Sequence, residues 1–135
     1  MLTASRDSRY CNDFELDEKT FDQEAIQRLQ EDSGFTLPAG ARGLNYAYHA
    51  PMDPGFAAKF EVPATSKEEV ANRILQMRND EMHVSGAFGP RFPWWAQPKD
   101  KVLCARFQNN ERTSLHAILT EEQDRIFLYL NWEVK

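Results

Sequence analysis

The chain has 135 residues, of which 41% are hydrophobic and 27% charged, a composition that suits one folded domain with a single core and excludes a disordered segment. Its formal charge is −5, and no basic stripe of the kind used by nucleic-acid binders interrupts that balance. No apolar run approaches the ~18 residues of a membrane span, and the opening MLTASRDSRY lacks the apolar stretch of a secretory signal.

Residues 1–19 are polar and read as an arm ahead of one α+β domain over 20–135. Thr20 and Gln23 have capping-box spacing, and Phe21, Ala25, Ile26 and Leu29 recur as an apolar stripe. Gly34 supplies a left-handed stop. Leu44, Tyr46 and Tyr48 then alternate with Asn45, Ala47 and His49. After the turn PMDPGF, Ala58, Phe60 and Val62 alternate with Lys59 and Glu61, which predicts a β-hairpin with one wet face. Thr65 with Glu68, or Ser66 with Glu69, boxes a second helix that carries Val70, Ile74 and Met77 inward and runs to about Asn79.

From Asp80 to Lys101 there is no period, and HVSGAFGPRFPWWAQPKD reads as a long aromatic loop. Three strands follow, Lys101 to Gln108, Ser114 to Leu119 and Arg125 to Val134, turned at Asn109-Asn110 and at EEQD. The order α-β-β-α-β-β-β predicts an antiparallel sheet of about five strands with two helices packed on one face.

Signs of catalysis are absent from the sequence. His49, His83 and His116 stand at no metal-ligand spacing, and the first and last fall where strand side chains face solvent. No nucleophile elbow, phosphate loop or dinucleotide glycine pattern occurs. Cys104 lies inside KVLCARF, where a thiol reads as inert core. The expectation is therefore no catalytic residue, no metal and no cofactor. Cys11 and Cys104 are either two reduced thiols or one disulfide tying the arm to a core strand.

That leaves surfaces. One sheet face is expected to carry Asn45, Lys59, Glu61, Arg106, His116, Phe127, Tyr129, Asn131 and Glu133, a mixture that suits protein recognition. Pro93 and Pro98 hold Trp94 and Trp95 in a surface loop. Neighbours in an extended segment point to opposite sides, so one tryptophan turns inward and one outward. Trp95, nearer the strand from Lys101, is taken as the inward anchor and Trp94, held by Pro93, as the outward contact, flanked by Arg91 and Phe92. The acidic stretch DFELDEKTFDQE offers Asp17, Glu18, Asp22 and Glu24 to steer a basic protein partner.

The expected function is a non-catalytic protein-binding module, with contacts drawn from the loop, from Tyr129, His116 and Arg106, and from those four acids. In layout and charge the chain is similar to bacterial immunity proteins, which neutralise a cognate toxin by covering its active site. The alternative is a small-ligand-binding or envelope protein, lipoprotein-like, with an aromatic pocket under the Trp loop. A signal removed from this chain would imply the periplasm, and otherwise the cytoplasm is expected. Oligomeric state stays open.

Overall fold

In the computed structural model, which describes residues 9–50, 52–82 and 88–135, six antiparallel strands form one sheet with two helices. The strands are β1 (Phe14–Asp17), β2 (Arg42–His49), β3 (Gly55–Val62), β4 (Lys101–Asn109), β5 (Thr113–Glu122) and β6 (Arg125–Val134). The helices are α1 (Gln23–Ser33) and α2 (Lys67–Leu75). Spatial order is β1-β2-β3-β6-β5-β4, so β6 joins two halves of the sheet.

One strand more is present than the sequence predicts, and it lies inside the expected arm. In β1, Phe14 and Leu16 pair with Tyr48 and Tyr46 and pack against the core, while Glu15 and Asp17 turn to the other face. Tyr10 is also buried and meets Tyr48 edge to face at 4.8 Å.

The helix starts differ from the expected boxes. Asp22, not Thr20, caps α1 by accepting from the Ala25 N–H at 3.0 Å. Thr20 instead closes a turn with Asp17, whose backbone N–H donates to Thr20 Oγ1 at 2.8 Å. Phe21 lies outside the helix yet packs on Tyr46 and Phe60, with ring centroids 5.3 Å away in both cases. Gly34 does end α1 in the left-handed region, φ 71°. A short 3-10 turn (Ala64–Ser66) precedes α2, no side chain caps it, and α2 stops at Leu75 rather than near Asn79.

The main core lies between the helices and one sheet face. Leu29 of α1 and Val70 and Ile74 of α2 belong to one buried cluster with Tyr46, Phe56, Phe60, Leu119, Leu128 and Leu130. The period-2 alternation of these strands explains the face they share. It breaks in β2, where a bulge between Gly43 and Asn45 moves Leu44 away from Tyr46 to the opposite face.

Of the two alternatives for the cysteines, the structure shows the reduced pair. Cys11 precedes β1 at one edge of the sheet and Cys104 sits in β4 at the other, and both thiols are free. Five strand intervals separate the edges by roughly 24 Å, whereas a disulfide needs Cα atoms within about 7 Å. Among the described residues no helix is long and apolar enough to cross a membrane.

Candidate functional site

The second sheet face is wet only in part. A second buried cluster joins Ala47, Ala57, Ile118, Phe127 and Tyr129 of the sheet to Phe88 and Trp95 of the loop, with Phe92, Trp94 and Ala96 packed around them. The aromatic loop is a lid over this face.

Trp95 is the inward anchor, 4% exposed. Its ring meets Tyr129 edge to face at 5.4 Å and lies 6.3 Å from His116. Gly89 lets the lid close, because a Cβ there would come within 2.9 Å of the Trp95 ring. The lid is pinned at its start by polar groups of β6. The Gly89 N–H donates to Asn131 Oδ1 at 2.9 Å, and the Phe88 N–H donates to Glu133 Oε2 at 3.3 Å. Asn131 Nδ2 in turn donates to the Phe56 carbonyl at 3.0 Å, so this buried amide uses both ends. At the far end Gln97 Nε2 donates to the Trp95 carbonyl at 2.8 Å.

This cover removes several expected contact residues from the surface. Tyr129 is 2% exposed, and its burial pushes the phenol up to about 12. Its ring lies under the lid, against Trp95. His116 is sandwiched between Trp95 and Phe107, and burial pushes it down to about 4. It is therefore a half-covered neutral group rather than an open, solvent-facing one. His49 is also partly covered, its ring 4.4 Å from Phe88. Arg106 lies opposite Ala117, whereas Phe107 lies opposite His116. Arg106 therefore belongs to the other face and does not join this site. Beneath the loop the Trp95 ring packs with Ala57, Ile118 and Tyr129. His83 lies outside the described residues.

The outward side of the lid carries the rest. Trp94 is half-buried and stacks on Phe92 at 5.1 Å with an interplanar angle of 17°. Phe92 meets Phe88 edge to face at 4.9 Å, and the exposed Arg91 guanidinium lies over Phe88 at 5.7 Å. Beside these rings runs a groove of about 240 Å³, bounded across from the lid by Asp13, Glu15 and Ala47 of the β1 side.

The four acids expected to steer a partner are engaged locally. Asp17 accepts from the Lys19 and Thr20 N–H groups, which hold its carboxyl below the ordinary range. Glu18 pairs with Arg42, Asp22 with Arg9 at 3.0 Å, and Glu24 with Arg9 at 3.7 Å. Arg42 continues to Glu61, which also takes Arg125 at 2.7 Å, and the two guanidinium groups hold Glu61 down at about 2. These pairs leave Asp13 and Glu15, beside the groove, as the acids best placed to act outward. Sequence reading placed both in the acidic stretch DFELDEKTFDQE without singling them out, because it did not read β1. The signal was present in Phe14 and Leu16, which alternate with Glu15 and Asp17.

Among the described residues no group of three or more His, Cys, Asp or Glu could hold a metal ion. Comparison with known proteins finds no matching family model, no similar curated protein and no similar solved structure.

Proposed function

We propose that the chain is a non-catalytic protein-binding module of immunity type, which inhibits a cognate toxin or effector by covering it with the outer side of the aromatic lid. The observation that carries this reading is the division of labour between adjacent tryptophans. Trp95 is committed to the core, while Trp94, stacked on Phe92 beside Arg91, stays half-open on a pinned backbone. Rigid aromatic and arginine groups of this kind supply most of the energy in protein interfaces, because little entropy is lost when they are covered. The overall negative charge and the acids beside the lid favour a basic partner.

The test begins with the native complex. The partner is isolated from the source cell, identified, and its affinity measured against wild type, Trp94→Ala and Trp95→Ala. Trp94→Ala should weaken binding by about tenfold or more with the melting temperature nearly unchanged. Trp95→Ala should cost about 3 kcal/mol of folding stability. Unchanged affinity for Trp94→Ala, or a partner whose activity is not inhibited in the complex, would overturn the reading.

A further inference from the structure

Resting on that reading, we infer that the groove between the lid and β1 receives one arginine side chain from the partner. Its two walls differ in character. On one side Phe88 and Phe92 meet edge to face, and Phe92 is braced from behind by Trp94. On the other side are the exposed acids Asp13 and Glu15, together with Phe14, Ala47 and Tyr48. Asp13 spends one oxygen on the Ala50 N–H at 2.8 Å, which fixes the side chain and leaves the second oxygen. Glu15 makes no ion pair among the described residues.

A guest that satisfies both walls needs an apolar stem and a flat cation. Arginine has both, since its guanidinium lies against aromatic rings and donates a planar fork of hydrogen bonds to carboxylates. An uncharged apolar side chain would leave the acids unmatched, and an acidic one would be repelled by them. The volume, about 240 Å³, fits one long side chain and not a folded element. The lid shows the same chemistry at its rim, where Arg91 lies over Phe88.

The test is independent of the partner. The full-length ¹⁵N-labelled protein is titrated with N-acetyl-arginine amide and, separately, with N-acetyl-citrulline amide, its uncharged isostere. The arginine probe should shift the amides of residues 13–15 and 88–92 saturably, and the citrulline probe should bind about fivefold more weakly or less. The double variant Asp13→Asn with Glu15→Gln should abolish that difference without lowering the melting temperature, because an asparagine oxygen still accepts from Ala50. Equal responses to the two probes, or shifts centred elsewhere, overturn the inference. Such a failure leaves the effect of Trp94→Ala on the partner intact, so the groove and the wider interface are judged separately.

Discussion

Asn131 of the central strand β6 accepts the Gly89 N–H at 2.9 Å, which makes one buried amide the hinge pin of the whole aromatic lid. Its other end donates to the Phe56 carbonyl, so the sheet fixes the amide and the amide fixes the loop.

Asn131→Ala should therefore act on the lid more than on the sheet. It leaves the buried Gly89 N–H without its partner and should cost about 2 kcal/mol. The Gly89 amide should lose hydrogen-exchange protection, and tryptophan emission should move toward the red as Trp95 becomes wet. A melting curve and an exchange profile matching wild type would show that the lid is held by Trp95 packing alone.

Much of this architecture is legible in the chain. The alternation of Ile126, Leu128, Leu130 and Trp132 predicts β6 with its observed bounds, and the stripes of Leu29, Val70 and Ile74 predict both helices. What covers Tyr129 and Phe127 is legible only in the inward turn expected of Trp95. Their strand alternates as a half-wet strand does, and the groups that dry its second face come from a loop with no period to read. β1 is hidden for a related reason. A four-residue edge strand with acids on alternate positions has the composition of a solvated arm.

The pH dependence of stability should carry the mark of His116. Burial holds the folded imidazole at about 4, against an unfolded value of ~6.5. Between these limits the unfolded chain binds a proton that the folded chain does not, so stability rises with pH. The contribution is fully present above ~6.5 and is lost as pH falls toward 4, up to about 3 kcal/mol in all. The carboxylates held low, Asp17, Asp22 and Glu61, act below this window. His116→Leu should flatten the melting temperature between pH 4 and 6.5, and parallel curves for the two proteins would rule this origin out.

The β5–β6 turn offers a stabilising change. Gln123 and Asp124 both sit in the left-handed region, at φ 51° and 65°, where side chains without local hydrogen bonding are disfavoured. Gln123→Asn should raise stability by about 0.5 kcal/mol, and Gln123→Val should lower it by about 1 kcal/mol or more. Denaturant midpoints measured at constant slope decide it. The opposite ranking would mean that the turn is not held in this form in solution.

The placement of β6 between β3 and β5 has a consequence for biosynthesis. The β2–β3 and β4–β5 hairpins can each form from neighbouring segments as the chain emerges. Neither half-sheet can meet the other until β6, which follows both hairpins in the chain, slides between them. Until then Phe56 and Phe60 on one side and Leu115 and Leu119 on the other lack the neighbours that bury them in the finished sheet. A ribosome paused short of Arg125 would therefore hold two sticky, unjoined pieces. In the finished sheet it is β6 that closes this open seam.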